Sequence, residues 1–249
     1  MIDTHTHLYL SKTPPGQLVQ RAKEAGVEQI ISISVDSASA QKGLLLAQEF
    51  ESISPTVGIH PLYHEAFGQL DQIDALLKAH RDDFVAVGEI GLDYHYGEAT
   101  KDQQAEVFRA QLDMARRYAK PVVIHNRKSD DDLVRILADY QDLKTVVHCF
   151  NGGPDFVDAL WHDQMYYSFT GMITYAKKGK TLRSVAEIPL NRIMIETDMP
   201  YLVPKAYHGL ENEPAFVVEV AKTIAAVKGV SLETVMAETT ATAQRFFDL

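Results

Sequence analysis

Met1-Ile2-Asp3-Thr4-His5-Thr6-His7 reads as a short strand that opens the chain. Side chains on a strand alternate between faces, so His5 and His7 point one way while Thr4 and Thr6 point the other. Two imidazoles at i and i+2 can share one metal ion. Taken alone, they are equally a pair of polar residues at a frayed terminus. Four more residues with ligand chemistry change that balance. Glu89, His125, His148 and Asp198 each sit at the end of a later apolar run.

Apolar strand-like runs recur along the chain at 2–6, 29–35, 56–60, 84–89, 121–125, 145–150, 165–169 and 192–198. Most are short and β-branched, such as Val122-Val123-Ile124 and Ile193-Met194-Ile195. Near-continuous apolar runs suit parallel strands covered by helices. Helical patterns fill the intervals. Thr13 and Pro14 open one as cap and first-turn proline, and Gly26 closes it. Others are expected at 39–51, 70–80, 130–140, 154–162, 178–187 and 213–228, with a final pair at 231–238 and 240–247. Thr100-Lys101-Asp102-Gln103 has capping-box form. It leads a helix whose Ala105, Phe108, Leu112, Ala115 and Ala119 form one stripe.

Eight strands each followed by a helix point to a parallel sheet and to a single TIM-like (β/α)8 barrel over residues 1–249. The length of 249 residues agrees with that barrel. The competing open, doubly wound sheet lacks a Gly-rich nucleotide loop after its first strand. No linker or low-complexity segment divides the sequence.

In such a barrel the six strand-end residues converge on the C-terminal rim, where active sites lie. A lone histidine at a strand end is commonly a hydrogen-bonded structural residue, and a lone Asp or Glu a helix cap. Six at equivalent positions favour metal binding. Imidazoles with carboxylates suit zinc, and also manganese or similar divalent ions, with magnesium or manganese able to support activity. Six ligands exceed one tetrahedral ion, so two divalent ions per chain are expected, with Glu89 placed to bridge them. Two such ions and two carboxylates leave the site net positive inside a chain of net charge −10. That site would attract an anionic phosphate and hydrolyse it by metal-bound hydroxide.

His5-Thr6-His7, the run Gly88 to Tyr94 (GEIGLDY), Ile124-His125-Asn126-Arg127, His148-Cys149-Phe150 and the run Glu196 to Leu202 (ETDMPYL) resemble the TatD-related deoxyribonucleases. Asn212-Glu213-Pro214 and Thr239-Thr240-Ala241 match as well. The resemblance covers essentially the whole chain. It implies a metal-dependent phosphodiesterase on a TIM-like barrel, cleaving DNA, often from a 3′ end. Many two-metal members of the wider amidohydrolase group bridge their ions with a modified lysine, and Glu89 takes that place here. Two departures fall in the strand-8 loop. Gly209-Leu210-Glu211 stands where the family often has a basic residue, and Met199 where the residue is commonly small.

Within that reading Asp198 and Glu89 are the catalytic carboxylates. Arg127 shares a strand face with His125 and can clamp a phosphate, or pair with one of Asp130 to Asp132. His60 can bond substrate or cap the turn before Pro61. Tyr94 and Tyr201 can stack on a base or pack loops. Glu196 shares a face with Asp198 and can orient a ligand histidine. His64, His80, His162 and His208 belong to no constellation.

The single cysteine, Cys149, excludes an internal disulfide and a Cys-rich metal site. The acidic balance disfavours nonspecific nucleic-acid binding over the whole surface. No run spans a membrane, and a cleaved leader would carry away His5 and His7, so a cytoplasmic protein is expected. The expected partner is DNA, as single-stranded ends, or a small phosphoester or amide. The alternatives are a small-molecule amidohydrolase or phosphoesterase on the same two-metal barrel, and a metal-stabilised barrel that binds without turnover.

Overall fold

The computed structural model describes residues 1–249 except the side chain of residue 98. Among the described residues eight parallel strands form: β1 Ile2–Thr6, β2 Gln29–Ser32, β3 Ile53–Val57, β4 Ala86–Asp93, β5 Val122–Arg127, β6 Thr145–Val147, β7 Met165–Phe169 and β8 Ile193–Ile195. The main helices are α1 Pro15–Glu24, α2 Ser37–Glu49, α3 Leu70–Ala79, α4 Lys101–Tyr118, α5 Asp130–Leu137, α6 Pro154–Leu160, α7 Lys180–Glu187, α8 Val217–Lys228 and α9 Leu232–Phe247. The strand order is β1-β2-β3-β4-β5-β6-β7-β8, and Thr6 bridges Met199 in the parallel sense. This is the order of a TIM-like (β/α)8 barrel, as expected from the sequence.

The chain forms two compact units, each discontinuous in sequence. The first comprises Met1–Ser32, Cys149–Ala159 and Tyr166–Leu249. In it β1 pairs with β2, and β7 with β8 in the register Tyr167 to Ile193. Its core includes Ile30, Tyr167, Phe169, Met194, Ile224 and Phe246, all buried.

The second unit comprises Ile33–His148 and Leu160–Met165. There β4 pairs with both β3 and β5, and β5 with β6. Phe108 and Leu112 of α4 are buried, each contributing on the order of 1.5–3 kcal/mol. Gly91 of β4 lies so close to β5 that a Cβ would run into the carbonyl oxygen of His125, and its φ of +140° also favours glycine.

Several expected boundaries move for identifiable reasons. Helix α2 starts at Ser37 because Asp36 caps it, accepting the Ser39 N–H at 2.7 Å while Ser39 returns the bond. Thr100 makes no cap bond to α4; its hydroxyl donates to the Gly97 carbonyl at 3.0 Å. The final pair of helices is one continuous helix, α9. The buried stripe of α4 is wider than expected and contains two amides, Gln104 and Gln111. Seven residues apart on one face, each holds the backbone at a strand end. Gln111 brackets Ile59, accepting from its N–H at 2.7 Å and donating to its carbonyl at 3.1 Å. Gln104 does the same at Asp93, at 2.8 and 3.1 Å.

Candidate metal centre

In the first unit, strand alternation on β1 sends Thr4 and Thr6 to neighbouring backbone. Thr4 donates to the Ile195 carbonyl at 3.1 Å and Thr6 to the Ile31 carbonyl at 2.9 Å. His5 and His7 lie on the other face, buried, with ring centroids 5.2 Å apart. Both Nε2 atoms face one oxygen of Asp198, His5 at 3.7 Å and His7 at 3.5 Å from Oδ1. These separations exceed a good hydrogen bond. They match the edge of a ligand tetrahedron, about 3.4 Å for bonds of about 2.1 Å.

Asp198 has a left-handed backbone, φ +56°, and lies beyond the end of β8. Its N–H donates to the His5 carbonyl at 2.9 Å, and the His7 N–H donates to the Met199 carbonyl at 2.8 Å. Asp3, fully buried, anchors the residue before it. Asp3 Oδ1 accepts the Thr197 N–H at 2.9 Å and Oδ2 accepts its hydroxyl at 2.5 Å. Burial pushes the Asp3 carboxyl well above its usual range, although those bonds work the other way. Asn212 of the Asn-Glu-Pro run donates to the Thr197 and Tyr201 carbonyls. Glu196, buried, accepts from the Cys149 N–H and the Ser168 hydroxyl, both at 2.6 Å. It thereby fixes the backbone directly after His148.

In the second unit Glu89 is the common neighbour of three imidazoles. Its Oε1 lies 2.8 Å from His125 Nδ1, 2.8 Å from His148 Nε2 and 3.6 Å from His60 Nε2. The donor atoms of His60, Glu89 and His125 all fall within 4.8 Å of one another, a spacing that can hold a metal ion. The His125 ring is gripped from its other side by Asp93, with Oδ2 at 3.0 Å from Nε2. Burial alone would lower the His125 pKa, but Asp93 and Glu89 outweigh it and raise it. The Asp93 carboxyl is lowered, because its bonds to His125 and to the Tyr96 N–H outweigh burial.

The remaining sequence candidates take definite places. His60 Nδ1 accepts the Leu62 N–H at 3.0 Å, so it caps the turn while its Nε2 faces Glu89. The Arg127 guanidinium lies 4.6 Å over the Tyr96 ring. Of the acidic residues weighed as its partners, Asp130 is bonded to Asn126 at 2.8 Å, and Asp132 to Arg135 at 2.8 Å and Tyr94 at 2.7 Å. Tyr94 is therefore tied down by its hydroxyl, whereas Tyr201 is 55% exposed with its ring 6.3 Å from His7. Cys149 has φ +46° beyond the end of β6 and is half-buried. Asp3, Asp93 and Gln104 are the positions the sequence reading missed. Each is a single polar residue whose partner is remote in the chain, which leaves no periodic signal.

The family model for TatD related DNase matches residues 2–248. The "uncharacterized metal-dependent hydrolase YabD" of Bacillus subtilis (strain 168) is 35% identical, covering 99% of this chain and 98% of its own. The "3'-5' ssDNA/RNA exonuclease TatD" of Dickeya dadantii (strain 3937) is 31% identical, covering 93% and 90%. Among solved structures, the TatD homolog YjjV from Escherichia coli K12 superposes with a TM-score of 0.94. It is 27% identical and covers 100% of this chain and 98% of its own.

Proposed function

Since the chain belongs to the TatD-related DNase family of metal-dependent hydrolases, we propose that it is an exonuclease of single-stranded DNA ends that works with two divalent ions. His5, His7, Glu89, His125, His148 and Asp198 would hold them. The observation that carries the reading is the convergence of His5 and His7 on one oxygen of Asp198, at 3.7 and 3.5 Å, with a separate carboxylate, Glu89, ringed by imidazoles. The donors are imidazole nitrogens and carboxylate oxygens, which fits zinc best, and magnesium or manganese for activity. One family model spanning residues 2–248 supports reading the chain as a single domain.

Bound ions would supply Lewis-acid polarisation of a phosphodiester and acidify an attacking water. The chain's own groups do the rest. Oδ1 of Asp198 faces the two histidines, and as a carboxylate Asp198 can take a proton from the water and return it to the leaving oxygen. Arg127 binds a neighbouring phosphate as a planar cation. Tyr201 offers an exposed ring for a base. His5, Glu89 and His148 are 0%, 3% and 7% exposed, so a thin strand end reaches them more readily than a duplex.

The test is a labelled-oligonucleotide assay on metal-reconstituted protein. Single-stranded 3′- or 5′-labelled DNA should shorten stepwise, faster than duplex. The net charge of −10 and the Gly209-Leu210-Glu211 departure favour a second reading, a small-molecule phosphoesterase or amidohydrolase. Hydrolysis of a small ester or amide with no cleavage of any nucleic acid would establish that one.

A further inference from the structure

Asp93 has no role in the reading above, yet it is a fully buried carboxylate with every direction assigned. Oδ2 lies 3.0 Å from His125 Nε2. Oδ1 accepts the peptide N–H groups of His95 at 2.9 Å and Tyr96 at 3.0 Å. Its own N–H and carbonyl are bracketed by the Gln104 amide of α4. Gln104 also donates to the Gly97 carbonyl at 2.9 Å and to Thr100 Oγ1 at 3.0 Å. A chain of bonds thus runs from α4 through Gln104 and Asp93 to His125, and from His125 Nδ1 to Glu89.

We propose that Asp93 is the positioning residue of the Glu89 cluster: its carboxylate holds His125 with the proton on Nε2, which commits the Nδ1 lone pair to metal beside Glu89. The inference rests on the metal reading of the site and extends it to a residue outside the ligand set. A carboxylate can only accept, so the nitrogen facing Asp93 must donate. An imidazole whose Nε2 carries the proton can ligate only through Nδ1, and Nδ1 already points at Glu89 Oε1, 2.8 Å away. Any proton on Nδ1 leaves to water when metal binds. The backbone bonds to His95 and Tyr96 keep the carboxylate from rotating away, and Gln104 keeps its strand end from fraying. Partners of this kind typically set 10–100-fold in metal affinity.

Asp93→Asn provides the sharpest test. If the asparagine carbonyl keeps the two loop N–H groups, its NH2 faces His125, a donor set against a donor. His125 is then driven to the other tautomer, with its proton on Nδ1. In full-length, 15N-histidine-labelled wild-type protein loaded with zinc, His125 should show Nε2–H and zinc-bound Nδ1, assigned by its loss in His125→Gln. Asp93→Asn should keep its fold by circular dichroism, lose that pattern and bind zinc about 10–100-fold more weakly. Should Asp93→Asn fail to fold, Asp93→Ala removes the acceptor without adding a donor and should also weaken zinc. Wild-type His125 ligating through Nε2, or wild-type zinc affinity in both variants, would overturn the proposal. Absence of any zinc binding by the wild type overturns this proposal and the metal reading together, whereas absence of nuclease activity alone overturns only the nuclease reading.

Discussion

Replacing Asp198 by asparagine should separate the two roles proposed for it, holding metal and moving a proton. Oδ1 of Asp198 faces His5 and His7 at 3.7 and 3.5 Å, and its N–H is bonded to the His5 carbonyl at 2.9 Å. Asparagine keeps an oxygen for the first role and tolerates the left-handed backbone, φ +56°. Its NH2 in place of Oδ2 cannot accept a proton. Losing a general base typically costs 10²–10⁴-fold, or about 3–5 kcal/mol on the barrier. Glu89→Gln acts differently, because it removes charge from the oxygen shared by His125 and His148, each at 2.8 Å. That change weakens metal binding itself. Turnover of a labelled oligonucleotide, or of a generic phosphodiester, should therefore be measured against metal concentration for both variants, with bound metal quantified in parallel. Excess metal should partly rescue Glu89→Gln and leave Asp198→Asn inactive. Near-normal turnover of Asp198→Asn at saturating metal would refute the assignment and make Asp198 a ligand only.

Three further outcomes are expected. Elemental analysis of protein prepared without chelator, or reconstituted, should approach two divalent ions per chain, and a value near zero after reconstitution contradicts the site. The raised pKa of His125 stabilises the metal-free fold below its unfolded pKa, and that contribution is lost as pH rises through the folded value. The zinc-loaded protein should show the opposite slope over the same window, because ligand imidazoles must shed protons to bind; urea midpoints against pH with and without zinc measure both, and slopes of equal sign reject the idea. Gln104→Leu should destabilise the chain by about 1–3 kcal/mol, since the buried Asp93 N–H loses its acceptor; a loss indistinguishable from zero in urea denaturation would show that the bracket is dispensable.

The sequence carries the strand count and the candidate ligands because both are repeated signals. Short β-branched runs such as Val122-Val123-Ile124 announce buried parallel strands, and each ligand follows such a run. Strand ends are less legible. The runs 145–150 and 192–198 look uniform, but β6 ends at Val147 and β8 at Ile195. Beyond those points Cys149 and Asp198 adopt left-handed backbone, held by bonds to Glu196 and His5. Those partners lie 47 and 193 residues away, outside any periodic window. Gln104 and Gln111 were hidden differently. Amides on an exposed helix face look the same in sequence, and only the fold shows that these two sit on the buried stripe of α4.

The left-handed backbone of Asp198 also constrains how this protein can evolve. At that dihedral angle a bulky or β-branched side chain is disfavoured, while Asp, Asn and Gly are the residues that settle there readily. Glutamate would keep the charge but not the local preference. The accessible neighbour is asparagine, reached by one base change in either aspartate codon. On the role proposed for Asp198, a descendant that has lost turnover while keeping its fold and much of its metal lies a single mutational step away, and the same step in reverse would restore a hydrolase from a chain that only binds.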